Sequence, residues 1–294
     1  AARVARPRAL RRRAARPRRS LISMLRCLYV DLDGTLLGKG ASLLHDDAGE
    51  FTMLGVRALE ACHRAEVEVV IFSGRRRAQV FEDARLLGLR AFIFEAGAAL
   101  EIDGEREWLT DGMVPGELTI HEQITASGAP ALLLDRFAGR LEYHDPWHRD
   151  REVSHLFRGG VSSEEADAVL VEEGLGHLRL VDNGAIHRRS ETLVGVEQAH
   201  AFHLVPKGAS KSRAVARHMQ NRGYGRDEVI AAGDSREDMG AASAVGTFWL
   251  MRNALEKDPT LTEAIAAAQN VRVTEARNGA GVYEAVVTTL AEGR

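Results

Sequence analysis

Two aspartates, Asp31 and Asp33, end an apolar segment in YVDLDGTLL, residues 29 to 37. Residues i and i+2 of a strand face the same side, so both carboxylates are expected at one point of the strand's carboxyl end. Open parallel sheets bind ligands there. A divalent cation would offset the repulsion, and Mg²⁺ prefers hard oxygen ligands, commonly one or two carboxylates with phosphate and water. An aspartate that merely caps the turn before Gly34 would explain only one of the two.

A second acidic pair occurs in the segment GDSRED, where Asp234 and Asp238 follow another apolar strand at the start of a predicted helix. One aspartate in this position is ordinary helix N-capping. Four aspartates in two matched strand-end settings favour a metal site built from carboxylates.

Two further segments carry groups that bind phosphate. Ser73 and Gly74 end a strand in VIFSGR, where a hydroxyl and a flexible backbone can present donors to an anion. Lys207 and Lys211 lie in KGASK before a helix, and either ammonium group could neutralise a phosphate oxygen. A turn serine or a solvated lysine is the ordinary interpretation of each segment alone. Together with the aspartates they predict a phosphate site.

Around these segments short apolar strands alternate with helices, which predicts an α/β domain with a mainly parallel sheet. Strands are expected at 27–31, 67–74, 89–97, 228–234 and 246–251, and helices at 50–66, 76–88, 211–223 and 237–245. Between about 103 and 200 the pattern changes to a polar helix at 162–174 and antiparallel strands in GRLEYHD, HLRLVDNGAIHR and AHAFHLV. We expect a core of residues 24–102 and 201–294 with an inserted α+β domain at 103–200.

Composition limits the function classes. The chain has 294 residues, 45% of them apolar, which is enough to fill a sizeable core. No apolar run reaches the roughly 18 residues of a membrane span, and Cys27 and Cys62 are too few for a disulfide framework. We therefore expect a cytoplasmic protein without a membrane partner.

The charge is unevenly distributed, although the net value is −3. Residues 1 to 26 contain ten arginines and no acidic residue, which leaves 29 basic against 42 acidic residues in the rest. Such a leader is typical of a disordered segment, a transit peptide or a nucleic-acid-binding arm. We expect residues 1–23 to be a disordered leader, with the sequence from Met24 onward reading as a natural beginning.

In order and context, the four chemical segments resemble the motifs of the haloacid dehalogenase superfamily of phosphatases. DLDGT resembles the first motif, SGR the second, Lys211 within KGASKSRAV the third and GDSREDM the fourth. The insertion between the second and third motifs is similar to the type-2 cap of the Cof-like, subclass IIB members, and MRNA near Asn253 is similar to the end of their core. REVSHLF, residues 151 to 157, resembles a segment of mannosyl-3-phosphoglycerate phosphatases and of relatives that act on sucrose phosphate, with departures at His155 and Leu156.

This resemblance implies a Rossmann-like core and a Mg²⁺-dependent phosphomonoester hydrolase that forms an aspartyl phosphate. Asp31 would be the nucleophile, and Asp33 would act first as acid and then as base. Ser73 and Lys211 would bind the phosphate. Mg²⁺ would be held by the Asp31 carboxylate, the Asp33 backbone carbonyl and Asp234, with Asp238 bound directly or through water.

The inserted domain would recognise the leaving group. It carries several arginines and few aromatic residues, which suits carboxylates and hydroxyl-rich groups better than flat rings. A small phosphorylated sugar or sugar acid, first of all a glycosyl-3-phosphoglycerate, is therefore the expected substrate. The candidate phosphate or substrate contacts are Gly74, Arg75, Asn253, Arg151, Arg188 and Lys207.

Other functions stay open at this point. A broad-specificity Cof-like phosphatase of cofactor or nucleotide phosphates would use the same core, and so would a phosphomutase that shields its phosphoenzyme from water. A non-catalytic nucleic-acid binder would depend on the basic leader alone. We expect a small-molecule partner and a monomer or homodimer.

Overall fold

The computed structural model describes residues 24–186 and 190–293. The expected leader, residues 1–23, lies outside the described residues, and so do Arg188 and Arg189. Within the described ranges, none of the helices combines the length and the apolar character that crossing a bilayer requires.

The described residues form two sheets with helices packed on them. The strands are β1 Cys27–Val30, β2 Glu68–Phe72, β3 Ala91–Phe94, β4 Ala99–Ile102, β5 Glu105–Trp108, β6 Leu141–Tyr143, β7 His155–Gly159, β8 Leu178–Ala185, β9 His200–Pro206, β10 Val229–Gly233, β11 Thr247–Leu250 and β12 Val271–Val273. The α-helices are α1 Leu54–Arg64, α2 Arg77–Leu87, α3 Ile120–Ala126, α4 Ala129–Arg136, α5 Ser163–Glu172, α6 Lys211–Arg222, α7 Arg236–Met239, α8 Arg252–Lys257, α9 Leu261–Ala267 and α10 Asn278–Glu292.

The larger sheet has the strand order β12-β11-β10-β1-β2-β3-β4-β5. Its first six strands run parallel, and the hairpin of β4 and β5 continues the sheet in antiparallel pairing. The apolar side chains of the central strands point alternately into two core layers, one with α1 and α10 and the other with α6. This confirms the α/β class. It also places the carboxyl ends of β10, β1 and β2 side by side.

The smaller sheet has the order β6-β7-β9-β8 and is antiparallel throughout. One of its faces packs against α3, α4 and α5 in a third apolar cluster. The other face is turned toward the larger sheet and contributes side chains to a cavity there.

The sheet pairing places the boundaries of the insertion later than the expected positions 103 and 200. Strand β5, residues 105–108, pairs with β4 in the larger sheet. Strand β9, residues 200–206, lies between β7 and β8 in the smaller sheet. The hydrophobic pattern marks both segments as strands but cannot show which sheet each joins. The division into a core and an inserted domain remains our proposal, with boundaries near 108 and 206.

The predicted helix at 50–66 is shorter in the structure and begins at Leu54. The segment before it is extended: Phe51 forms an isolated bridge with His45, and the N–H of Thr52 donates to the carbonyl of Leu44. The predicted helix at 237–245 is also interrupted, because α7 passes at Gly240 into a 3₁₀ turn.

Candidate active site

Three neighbouring strand ends bring the sequence-predicted groups together. Asp31 and Asp33 follow β1, Ser73 follows β2, and Asp234 follows β10. These side chains line a cavity of about 480 Å³, together with Asp238, Lys211, Gly74 and Arg75. The strand ends form one wall, and the smaller sheet forms the wall opposite. The sequence therefore predicted a group of residues that the fold assembles at one point.

Lys211 is the buried cation of the site. It is the first residue of α6 and is only 1% exposed. Its Nζ lies 2.5 Å from Asp238 Oδ1, 3.0 Å from Glu237 Oε2 and 3.2 Å from Asp31 Oδ1. Burial alone would lower the pKa of Lys211, but these carboxylates outweigh it and raise the pKa above its ordinary value. Lys211 therefore stays charged at the floor of the cavity.

For the pKa of Asp31, the effect of burial outweighs that of the neighbouring opposite charge. Burial raises the pKa of Asp31 well above its ordinary value, and the neighbouring carboxylates add to that rise, while Lys211 opposes it. The pKa of Asp234 is likewise raised, first by burial, although the Lys257 ammonium at 2.6 Å counteracts it. The floor of the cavity thus has an excess of buried negative charge that a bound cation would relieve.

One carboxylate oxygen each from Asp31, Asp234 and Asp238 lies within 4.8 Å of the other two. All of these donors are hard oxygens, the type that Mg²⁺ takes. Asp238 has a second task, because its Oδ2 accepts hydrogen bonds from the N–H groups of Asp234 and Ser235 and from the Ser235 hydroxyl. These bonds fix the turn between β10 and α7. The donor set accordingly fits a divalent cation, with Asp238 also holding the loop in place.

Asp33 is oriented by Arg75. The guanidinium donates from Nε to Oδ2 and from Nη2 to Oδ1, both at 2.7 Å, and its Nη1 donates to Asp83 at 2.8 Å. We predicted Arg75 as a phosphate or substrate contact, but in the structure each of its three nitrogens donates to a carboxylate. Its contacts assign it to positioning Asp33, because a fork of donors matches a carboxylate in two parallel bonds.

Two glycines allow the close approach of these groups. Gly34 has φ +85°, and a Cβ there would lie 2.2 Å from Asp234 Oδ2. At Gly74 a Cβ would lie 2.8 Å from His203 Nε2 and 3.2 Å from Asn183 Nδ2. Gly74 thus leaves space for side chains of the smaller sheet beside Ser73, and its backbone contact to phosphate stays a prediction.

Comparison with known proteins agrees with this geometry. Residues 184–286 match the model of a family described as haloacid dehalogenase-like hydrolase. The matched segment includes Lys211, Asp234 and Asp238 and resembles this family.

The hydrolase has relatives over most of its length. It is 26% identical to phosphoglycolate phosphatase from Methanoculleus marisnigri over 275 residues, which cover 90% of this chain and 96% of the relative. It is 23% identical to phosphatase YwpJ from Bacillus subtilis over 286 residues, which cover 82% and 94%. Among solved structures, the sucrose-phosphatase from Synechocystis sp. PCC6803 with sucrose and phosphate superposes with a TM-score of 0.64 at 15% identity, covering 90% of this chain and 98% of that one. The predicted family resemblance and the α/β fold are confirmed, and the enzyme is a phosphatase.

The smaller sheet and the loop before β7 supply the second wall of the hydrolase's cavity. The lining residues from this side are His144, Trp147, Arg151, Leu156, Asn183, Ala201 and His203. We did not predict Asn183 or His203 as site residues. The sequence shows that side chains alternate between the two faces of β8 and β9, but it does not show which face lines the cavity.

Asn183 and His203 both stand opposite Gly74. The Oδ1 of Asn183 is a buried acceptor for which the described residues offer no hydrogen-bond donor. His203 is 1% exposed, and its Nδ1 is 3.2 Å from the Ser154 hydroxyl. Burial and the nearby Arg151 and Lys211 lower the pKa of His203 well below its ordinary value, so the ring is neutral. A neutral amide and a neutral imidazole can exchange hydrogen bonds with hydroxyl groups.

Arg151 lines the cavity, as expected for a substrate contact, but its contacts also join the two sheets. It is 7% exposed, and its Nη1 donates to the carbonyl of Gly74 and to the Ser154 hydroxyl, both at 3.0 Å. Its Nε donates to the carbonyl of Trp147. Arg151 thereby positions the backbone next to Ser73.

We predict that Arg151→Ala lowers kcat/KM at least about tenfold on both a sugar phosphate and p-nitrophenyl phosphate, because it removes buried hydrogen bonds to the phosphate-binding segment. Initial rates of phosphate release on the two substrates test this. Arg149→Ala is the control, since Arg149 is exposed and pairs with Asp145. A loss confined to the sugar phosphate would assign Arg151 to the leaving group alone.

Glu95 is a second junction residue that the sequence analysis missed. Its carboxylate is fully buried and accepts hydrogen bonds from the N–H groups of Glu152, Val153 and Ser154 and from the Ser154 hydroxyl. The signal was an acidic residue directly after an apolar strand in FIFEAG. Glu95 holds the loop that carries Arg151 against the larger sheet.

Two predicted substrate residues, Lys207 and Asn253, do not line the cavity. Lys207 is exposed at the end of β9, where its N–H donates to the carbonyl of His177, and it does not line the cavity. An exposed lysine outside the cavity does not support a contact with phosphate there. Asn253 is buried next to the acidic group: its Nδ2 donates to the carbonyl of Gly34 at 2.8 Å and to Asp234 Oδ2 at 3.4 Å, and its Oδ1 accepts from Asn278 N–H. It fixes the turn after Asp33. Arg188 lies outside the described residues.

Proposed function

We propose that this phosphatase is a Mg²⁺-dependent phosphomonoester hydrolase that works through an aspartyl-phosphate intermediate on small phosphorylated sugars or sugar acids. The observation that carries the proposal is the meeting of Asp31, Lys211, Ser73 and Asp234 at the floor of one cavity whose opposite wall includes the polar side chains of His144, Asn183 and His203. The first set suits a phosphate group. The second suits a hydroxylated leaving group.

The carboxylates of Asp31 and Asp234, together with the backbone carbonyl of Asp33, would hold Mg²⁺, with Asp238 nearby. The excess of buried negative charge at Asp31 and Asp234 supports this assignment. When bound, the metal reduces the repulsion between the anionic nucleophile and the phosphate and stabilises charge in the transition state.

Asp31 is the proposed nucleophile. Its carboxylate oxygen bonds to phosphorus while the bond between phosphorus and the leaving oxygen breaks. Asp33, oriented by Arg75, gives a proton to the departing alkoxide and then takes one from the water that hydrolyses the acyl phosphate. Lys211 and the Ser73 hydroxyl donate to the phosphate oxygens, which gain negative charge in the transition state. The products are the alcohol and inorganic phosphate.

The cavity wall supports a hydroxylated leaving group. Among the described lining residues, Trp147 is the only phenylalanine, tyrosine or tryptophan. A flat nucleobase therefore could not stack between two such rings. Asn183, His203 and His144 offer polar groups instead. The relative from M. marisnigri is named for phosphoglycolate, a small phosphorylated hydroxy acid, and this makes phosphoglycolate a second candidate within the same class.

The free thiols of Cys27 and Cys62 support a cytoplasmic location. For the oligomeric state we propose a monomer or homodimer.

A screen of phosphate esters tests the substrate class. Phosphate release with Mg²⁺ should give a higher kcat/KM for glycosyl-3-phosphoglycerates, sucrose phosphate or phosphoglycolate than for nucleotides, flavin mononucleotide or pyridoxal phosphate. A clear preference for an aromatic cofactor phosphate would contradict the sugar-acid proposal and leave the phosphatase assignment intact. Transfer of the phosphoryl group within a sugar, with no inorganic phosphate released, would indicate a mutase.

We predict that removal of divalent metal by EDTA lowers activity at least about 100-fold, because the transition-state charge then lacks a counter-ion worth several kcal/mol. Added Mg²⁺ should restore activity, and Mn²⁺ or Co²⁺ should substitute for it. Ca²⁺ should inhibit, since its larger and more flexible shell misplaces the attacking oxygen. Full turnover after exhaustive chelation would exclude the proposed metal dependence.

We predict that Asn183→Ala raises KM for the preferred sugar or acid substrate about three- to tenfold, the value of one lost hydrogen bond. Hydrolysis of p-nitrophenyl phosphate should change less than about twofold, because its aromatic leaving group has no hydroxyl for the amide to bind. Steady-state kinetics on both substrates checks this. Equal changes on the two substrates would mean that Asn183 acts on the phosphate end instead.

A further inference from the structure

A second cluster of potential metal ligands lies at the amino ends of the strands, opposite the phosphate site. Cys27 is the first residue of β1, Glu68 is the first of β2, and His218 lies on α6. One ligand atom from each, namely a thiol sulfur, a carboxylate oxygen and a ring nitrogen, lies within 4.8 Å of the other two. Thiolate, carboxylate and imidazole are the ligands that zinc takes in proteins.

The His218 ring is fixed in a position that directs one nitrogen at this cluster. His218 is 0% exposed. Its Nδ1 lies 2.8 Å from the Tyr29 hydroxyl. Its Nε2 has no hydrogen-bond partner among the described residues, and Glu68 Oε2 is 3.7 Å away. A buried nitrogen without a partner is costly in an apolar interior, and a metal ion would satisfy it.

The hydrogen bond at Nδ1 prepares His218 for metal binding. If Nδ1–H donates to the Tyr29 oxygen, Nε2 carries the lone pair. A hydrogen bond from the other ring nitrogen is the usual way in which proteins orient a metal-bound histidine.

Glu68 is both oriented and accessible. Its Oε1 accepts from Arg222 at 2.9 Å, and its Oε2 accepts from the Tyr224 hydroxyl at 2.7 Å. Arg222 Nε also donates to Oε1, at 3.2 Å, so the available lone pair is on Oε2. Its side chain is 19% exposed and borders a surface recess that Arg222 and Tyr224 also line. Glu68 therefore connects the buried cluster to this recess.

We propose that Cys27, Glu68 and His218 bind one Zn²⁺, with a water molecule as the fourth ligand. The Cys27 thiol releases its proton to solvent as the zinc–sulfur bond forms. The ion joins β1, β2 and α6, the elements that lead to Asp31, Ser73 and Lys211 at their other ends. Its role is structural and does not depend on the proposed function of the phosphate site.

Titration of the metal-free full chain with Co²⁺ tests this site. A thiolate bound to Co²⁺ gives a charge-transfer band in the near ultraviolet, whereas the oxygen ligands of the phosphate site give none. We expect the band to appear with one equivalent of thiolate-bound Co²⁺ and to disappear when Zn²⁺ is added. Absence of the band in the wild-type chain would overturn the proposal.

Variants identify the thiol. The band should be lost in Cys27→Ser and retained in Cys62→Ser, because Cys62 is equally buried but belongs to the other core layer. Tyr29→Phe should weaken Zn²⁺ binding about 10- to 100-fold without removing the band.

A band that persists in folded Cys27→Ser would refute the assignment. If that variant does not fold, zinc X-ray absorption on the wild-type chain decides, with one sulfur expected at about 2.3 Å and nitrogen or oxygen at about 2.0–2.2 Å. A shell without sulfur would overturn it.

Discussion

Asp31→Asn is expected to lower kcat/KM at least about 1,000-fold, a loss of about 4 kcal/mol of transition-state stabilisation. The amide cannot form the acyl phosphate, although it retains the shape of the carboxylate and an oxygen that can face Lys211. Phosphate release in the presence of Mg²⁺ measures the effect. Asp135→Asn is the matched control and should be fully active, because Asp135 is an exposed residue near the end of α4.

The same variant separates chemistry from folding. Asp31 is 6% exposed, and burial opposes its charged form, so loss of that charge should not lower the free energy of unfolding in EDTA. Lys211 keeps Glu237 and Asp238 as partners. An inactive variant with an unchanged melting temperature therefore supports a direct role in catalysis. Turnover within about tenfold of the wild type, about 1.4 kcal/mol, would show that the covalent mechanism is wrong.

Much of the candidate site could be predicted because its residues are set by local features. A strand followed by a polar side chain is visible in sequence, and the carboxyl ends of parallel strands share one edge of the sheet. This is why Asp31, Ser73 and Asp234 could be placed together before the order β10-β1-β2 was known. The α/β class followed from the same alternation of strands and helices.

The remainder depended on pairings across long sequence distances. Arg75 pairs with Asp33, which lies 42 residues earlier in the chain. A sequence pattern cannot show whether the guanidinium binds that carboxylate or a substrate phosphate. Strand β9 was recognised as a strand, yet its partners β7 and β8 are decided by tertiary packing. The same uncertainty hid Asn183 and His203, because a one-residue change in register would turn them to the opposite face.

Lys207 and Lys211 show the limit most clearly. Both lie in one short basic segment, where residue type alone allows either to bind phosphate, and the motif resemblance selected Lys211. The N-cap at Ser210 begins α6 at Lys211 and points that side chain into the site, whereas Lys207 remains on the exposed turn. The direction in which the helix starts thus decides which of these two lysines, four residues apart, is buried in the site and which is solvated.

Lys211→Met is expected to reduce both activity and stability, unlike Asp31→Asn. Removal of a donor to the transition-state oxygens should lower kcat about 100- to 1,000-fold. In EDTA the free energy of unfolding should fall by about 3–5 kcal/mol, the usual loss when one partner of a buried ion pair is removed. The cause is that Asp31, Glu237 and Asp238 remain buried without their shared cation. Chemical denaturation and phosphate release measure the two effects.

The double variant Lys211→Met/Glu237→Gln distinguishes these two roles. Glu237 loses its charge there, so fewer uncompensated carboxylates remain beside the vacated ammonium position, and part of the lost stability should return. Activity should stay low, because glutamine supplies no cation to the phosphate. Mg²⁺ should also restore some stability to Lys211→Met, since the ion adds positive charge beside Asp31 and Asp234. Recovery of activity together with stability would show that Lys211 acts on folding alone and that another group binds the phosphate.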